Sequence, residues 1–180
     1  MEADYWKPIQ AGEVKKGDNF AVKNLLSNPK SIIYPNSYAL HAAMSPHAAA
    51  ELDDVNIKIK KITPPATKNH LVIEGAGGLL VPINETETII DIIKADYHVI
   101  VVSRHYLGSI NHSLMTIKLL QQRGFMLSLI FNGEENPATE EIIVKMTNIN
   151  VIGRINQETE INKAVISKYA HQFKDNLRQL

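Results

Sequence analysis

The chain has 180 residues, 44% of them hydrophobic and 21% charged, enough to bury a core of its own and unlike disordered or low-complexity sequence. Nineteen basic residues balance nineteen acidic ones, which argues against nucleic acid or a membrane surface as the main partner. The lack of cysteine excludes disulfides and thiolate chemistry, and neither a signal peptide nor an apolar run of spanning length is seen, so a cytoplasmic protein is expected.

In chain order, the sequence predicts an opening strand that runs up to Lys7-Pro8. A polar stretch from Glu13 to about Asn69 follows, with turn signals at Asn28-Pro29, Pro35-Asn36 and Pro64-Pro65. Beyond it, short apolar runs alternate with helical periodicities. These are Leu71-Val72-Ile73 and then Ile89 to Ala95; His98 to Val102 and then Ile110 to Gln122; Phe125 to Phe131 and then Thr139 to Met146; Val151-Ile152 and then Ile161 to Leu177. The rhythm predicts βα units: an α/β fold on a parallel sheet with helices on both faces. The unbroken run Val99-Ile100-Val101-Val102 predicts a strand covered on both sides. Asn136-Pro137 predicts an N-cap with Pro in the first helical position, and Gly124 a helix stop. The polar first half is read as an insertion, so residues 1–180 are expected to form one α/β domain.

Ligands of such sheets sit outside the carboxyl ends of the strands. Glu74-Gly75-Ala76-Gly77-Gly78 occupies that position after Leu71-Val72-Ile73. A carboxylate there suits magnesium, and the glycines let backbone amides approach phosphate. The same residues also read as a turn glutamate with glycines serving geometry alone. Leu107-Gly108-Ser109-Ile110-Asn111-His112 opens a long helix, with Ser109 as its expected N-cap. The free amides around Ser109 would offer an anion site, unless the serine only caps the helix. Asn132-Gly133 after a strand is by itself a turn. Pro8 holds Lys7 extended, which suits a side chain aimed from a strand end. No HExxH, G-x-S-x-G, G-x-G-x-x-G or G-x-x-x-x-G-K-[ST] pattern occurs.

Taken together the blocks resemble the dethiobiotin synthetase family. They come in family order: Tyr5-Trp6-Lys7-Pro8-Ile9-Gln10-Ala11-Gly12, Asp18 opening a helix, Met44-Ser45-Pro46-His47, Val72 to Gly78 running into Leu79-Leu80-Val81-Pro82, Leu107 to His112, Phe131-Asn132-Gly133, and Gly153-Arg154-Ile155. The resemblance implies a phosphate-loop α/β domain working as a homodimer with composite sites. It implies ATP- and magnesium-dependent closure of a ureido ring from 7,8-diaminononanoate and CO2, through a carbamic–phosphoric anhydride, in biotin biosynthesis. Lys7 then matches the catalytic lysine, and Asp18 and Glu74 match the acids that hold magnesium. Glu74, Gly75, Ala76 and Gly77 match a nucleotide-contacting turn. Asn132 and Gly133 match the adenine-reading segment, and Ala11, Leu107, Ser109 and Asn111 match substrate-binding positions.

The resemblance departs from the family pattern in three places. Ala11 stands where many relatives have Ser or Thr, and Asn156 where proline often follows Gly-x-Ile. The family's first strand, phosphate loop and helix, roughly 30 residues, would precede Glu2. A protein starting at Met1 is therefore expected neither to bind ATP tightly nor to turn over. Two other readings remain open: a phosphate-loop amide or ring-forming ligase of the cobyrinate type, and a non-catalytic remnant that dimerises or binds ligand.

Overall fold

The computed structural model describes residues 2–180; the expectation attached to Met1 lies outside them. Two units divide the chain, one ending at Ile93 and the other running from Lys94 to Leu180. The first contains β1 (Asp4–Trp6), β2 (Ile9–Ala11), α1 (Asp18–Leu25), β3 (Ile33–Tyr34), β4 (Tyr38–Leu40), α2 (Pro46–Leu52) and β5 (Leu71–Ile73). The second contains β6 (His98–Arg104), α3 (Ser109–Gln122), β7 (Met126–Asn132), α4 (Pro137–Thr147), β8 (Asn150–Ile155), α5 (Lys163–Gln172) and α6 (Lys174–Arg178). Every strand pair named below is parallel, as the βα rhythm predicts.

In the first unit β1 lies between β3 and β5, with Tyr5 opposite Val72 and Trp6 opposite Ile73. Pro8 ends β1, and its carbonyl accepts from the amides of Ser37 and Tyr38 at 2.8 and 3.0 Å. The chain is thereby turned into a separate ladder of β2 with β4. Trp6, Ile9, Leu40, Ala49, Ala50, Ile57, Ile62, Ile83 and Ile89 make the core. Asp4 is buried at the start of β1 and satisfied on all sides. It accepts from Thr67 Oγ1 at 2.6 Å, the Ile32 amide at 2.8 Å, Asn69 Nδ2 at 3.0 Å and Tyr34 at 3.4 Å. Those bonds, led by Thr67 and Ile32, hold its carboxyl below the usual range against the opposing effect of burial. A single side chain thus ties β1 to the loops on both its flanks.

The helix expected over Ile89 to Ala95 is instead a 3-10 turn, Ile89–Ile92. Thr88 and Asp91 cap it reciprocally, and its apolar residues face the core without a second turn to extend them. The polar stretch from Glu13 to Asn69 is not only turns, because α1, α2, β3 and β4 lie within it.

The second unit follows the predicted rhythm closely. Its sheet order is β6-β7-β8, and α3 packs on β6, β7 and α4. In β7 the successive residues Ser128, Leu129, Ile130 and Phe131 are all buried, so both faces of this central strand are covered. Ile130 and Ile152 pack on Tyr169 and Phe173 at the C-terminal end of α5. In β6 the expected two-sided burial fails: Val101 and Ser103 are buried, whereas Ile100 and Val102 are exposed. This strand is at the edge of its sheet and has α3 on one face. Asn136 caps α4 through a bond from the Thr139 amide, with Pro137 first in the helix, as expected. The helix predicted over Ile161 to Leu177 breaks at Phe173 into α5 and α6.

Candidate functional site

At the carboxyl ends of β1 and β5, three of the sequence-predicted residues meet. Lys7 follows Trp6, and Glu74 follows Ile73, its amide donating to the Trp6 carbonyl at 3.0 Å, so one ladder sets both residues side by side. Asp18 arrives separately as the first residue of α1. Lys7 Nζ donates to Asp18 Oδ2 at 2.5 Å and to Glu74 Oε1 at 2.9 Å. The lysine side chain is 10% exposed, while the two carboxylates are 43% and 42% exposed. Burial opposes the charge on Lys7, but the bonds and charges of Asp18 and Glu74 prevail and raise its pKa. It is a fixed cation.

Two further residues frame this cluster, and neither was singled out from the sequence. Gln10, buried on β2, bonds the Gly12 carbonyl through Nε2 and accepts the Asp18 amide through Oε1 at 3.4 Å. It thereby serves the first open amide of α1, whose N-cap Gly17 has no side chain to do so. A Cβ on Gly17 would lie 2.7 Å from Gln10 Cδ, so this approach requires glycine. Tyr5, buried on β1, donates from its hydroxyl to Glu74 Oε2 at 2.5 Å. Burial first, then the bond and charge of Glu74, push the phenol pKa upward. Strand alternation is the signal that could have revealed it: Tyr5 and Lys7 share one face of β1, two residues apart.

Asp18 and Glu74 could hold a metal. Hard carboxylate oxygens, half open to water, suit magnesium, which takes one or two protein carboxylates and completes its shell with water and phosphate oxygens. No cluster of three or more His, Asp or Glu suited to a metal occurs among the described residues. Gly75, Ala76 and Gly77 continue from Glu74 as an irregular turn. Ala11 ends β2 and packs against the first unit's core.

The remaining predicted residues belong to the second unit. Asn132 ends β7 opposite Arg104 at the end of β6, with Gly133 next. Ser109 is not the N-cap of α3. Gly108 is, in a left-handed conformation with φ +97° that a serine would adopt only under strain. Ser109 is the buried first helical residue, and its amide donates to Tyr106 O at 2.9 Å, so it is not one of the free amides expected. Leu107 and Asn111 are exposed.

Beside the β7 end lies a second charged cluster. Glu140 on α4 accepts from His105 Nε2 at 2.8 Å, from the Asn136 amide at 2.9 Å and from Arg154. Arg154 also reaches the carbonyls of Gly133 and Glu134 and lies over the Phe131 ring at 5.6 Å. Burial works against the Glu140 carboxylate, but these bonds outweigh it and lower its pKa. At Asn156 the amide donates to the Tyr169 hydroxyl at 2.9 Å, a bond proline could not make.

Comparison with known proteins settles the family. Residues 1–165 match the family described as AAA domain. The ATP-dependent dethiobiotin synthetase of Christiangramia forsetii is 48% identical over the whole of this chain and 87% of its own length. The chain belongs to the dethiobiotin synthetase family. The Cytophaga hutchinsonii enzyme of the same name is 45% identical over 98% of this chain and 86% of its own, and that of Paramagnetospirillum magneticum 38% over 92% and 80%. Membership places the chain among phosphate-loop-type α/β proteins and among the ATP-dependent ligases of biotin biosynthesis, as the ordered motifs led one to expect. No helix among the described residues is long and apolar enough to cross a membrane.

Proposed function

We propose that the chain closes the ureido ring of dethiobiotin from 7,8-diaminononanoate, CO2 and ATP, with Lys7 as catalytic residue and Asp18 and Glu74 as magnesium ligands. The observation that carries this reading is Lys7 Nζ held between the two carboxylates at 2.5 and 2.9 Å. A carbamate attacking a phosphoryl group brings negative charges together, and the protein's task is to position and neutralise them. Lys7 supplies a point charge that its raised pKa keeps protonated at neutral pH. Its low exposure restricts that charge to one place. Bound magnesium would draw charge from the phosphate oxygens and orient them. Asp18 and Glu74 remain half exposed and so can present oxygen to it. Gly75 to Gly77 would then lie along the nucleotide.

Asn132, with a donor and an acceptor on one amide, suits the adenine edge beside Gly133. Ala11 would lie near the substrate on the first unit. The segment Leu107 to Asn111 at the start of α3 would serve the substrate of the partner protomer, with exposed Leu107 and Asn111 rather than buried Ser109 offering side chains to it. In this reading the chain works in the cytoplasm as one α/β domain per protomer of a homodimer.

The test is phosphate release from ATP by the full-length protein, phosphate-loop segment included, that depends on both diaminononanoate and bicarbonate. Glu74→Gln, nearly isosteric but uncharged, should abolish release and leave the fold intact. Unchanged turnover and unchanged magnesium dependence in that variant would remove Glu74 from the site.

A further inference from the structure

Glu74 is gripped by three consecutive residues, Tyr5 and Trp6 of β1 and Lys7 just after it. The Trp6 carbonyl accepts from its amide at 3.0 Å, Lys7 Nζ donates to Oε1 at 2.9 Å, and the Tyr5 hydroxyl donates to Oε2 at 2.5 Å. Strand alternation explains how one short segment does this. Tyr5 and Lys7 project to the same face, while Trp6 between them enters the core and leaves its carbonyl for the ladder.

We propose that Tyr5 is a positioning residue for Glu74, fixing the carboxylate so that it meets a divalent cation in a single orientation. The inference rests on the reading of Glu74 as a metal ligand. A glutamate on a strand end has three side-chain torsions and, half exposed, would otherwise sample several rotamers. With both oxygens engaged, by Tyr5 and by Lys7, the carboxylate plane is set. An ionised carboxylate offers about four lone-pair positions, so two bonds still leave room for a cation.

Core filling does not account for the hydroxyl. Phenylalanine would occupy the same volume, and a buried tyrosine needs only some acceptor. Tyr5 instead bonds one of the two carboxylates that hold Lys7, and among the described residues its hydroxyl makes no other bond. Hydrogen bonds of this kind, one step behind a ligand, govern metal affinity in many sites.

Tyr5→Phe removes the hydroxyl and keeps the ring. Mn2+ titrated into the protein and followed by electron paramagnetic resonance should bind roughly 10-fold more weakly to this variant. Its circular dichroism and thermal midpoint should stay close to those of the parent. In the phosphate-release assay the apparent KM for magnesium should rise by more than kcat falls. The double variant Tyr5→Phe, Glu74→Gln should bind Mn2+ no more weakly than Glu74→Gln alone, because Tyr5 acts only through that carboxylate. Unchanged Mn2+ affinity in Tyr5→Phe alongside a loss in Glu74→Gln, or additive losses in the double variant, would overturn the role of Tyr5. Unchanged affinity in both single variants would overturn the reading of Glu74 itself. Should Tyr5→Phe lose its fold, 3-fluorotyrosine at position 5 keeps the shape and alters the donor. The Mn2+ dissociation constant must then shift, and a fixed value counts against the proposal.

Discussion

The two units each carry a charge cluster, and the clusters are built to opposite plans. In the first, a nearly buried cation, Lys7, is held by two carboxylates that are 43% and 42% exposed. In the second, a nearly buried anion, Glu140, is held by Arg154 and His105, which are only 19% and 13% exposed. The outer partners of Lys7 keep oxygens turned to water and can take a ligand. Those of Glu140 spend their donors on the carboxylate, on the loop carbonyls of Gly133 and Glu134, and on the face of Phe131. Exposure of the outer members, more than the presence of charge, separates a cluster open to a ligand from a brace.

The sharpest way to break this comparison is to remove each central residue. Lys7→Ala should lower kcat by about 100-fold or more, as loss of a comparable electrostatic group does. A loss confined to KM would make Lys7 a uniform binding residue. Glu140→Ala should act on stability instead, costing about 3 kcal/mol, because Arg154 is left with an unpaired, mostly buried charge. Calorimetry would read that as a fall of roughly 6–12 °C in Tm for a chain of this size. A raised KM for ATP with Tm unmoved would reclassify the second cluster as functional.

Acid provides a milder probe. Asp4 and Glu140 both have folded-state pKa values below their unfolded ones. Their contributions are therefore complete above the unfolded values, near 4 to 4.5, and are lost as pH falls through the lower folded values. Asp4→Asn should flatten the acid limb of a Tm-versus-pH curve, and an unchanged limb would show that Asp4 is not a latch on β1. The smallest effect concerns the cap of α4. Asn136→Ala should cost about 1 kcal/mol, measurable by urea denaturation, with catalysis untouched.

Much of the second unit was legible in sequence because its elements obey a single period each. Asn136-Pro137 and Gly124 marked helix ends through local backbone chemistry that needs no tertiary partner. Where neighbours decide, the reading faltered. Ile89 to Ala95 had the apolar spacing of a helix, but only Ile89–Ile92 is helical, as a capped 3-10 turn, and Val99 to Val102 looked two-sided although the strand lies at a sheet edge. Ser109 was credited with a capping role that the left-handed Gly108 performs. In the site, Lys7 and Glu74 were reached from their places at strand ends and Asp18 through the family motif, but 67 residues of separation between Lys7 and Glu74 leave no local trace of their contact. Tyr5 and Gln10 were inside the same motif and passed over. Their roles depend on which face of β1 and β2 they occupy; alternation with Lys7 could mark the face of Tyr5, but the three residues of β2 are too few to mark that of Gln10.

Trp6 is the chain's single tryptophan, buried between Tyr5 and Lys7 with its indole N–H on the Pro35 carbonyl at 3.1 Å. Light absorbed beyond the tyrosine band will therefore excite one chromophore, and it belongs to the strand that grips Glu74. Its emission should move to longer wavelength when water reaches the first core. The aromatic residues of the second unit, Tyr97, Tyr106 and Tyr169 among them, stay dark under the same illumination. Fluorescence from Trp6 thus reports melting of the sheet that holds the Lys7 cluster, and far-ultraviolet dichroism, dominated by helices α3 to α5, reports the other unit. The protein carries its own optical label at the place where its chemistry is proposed.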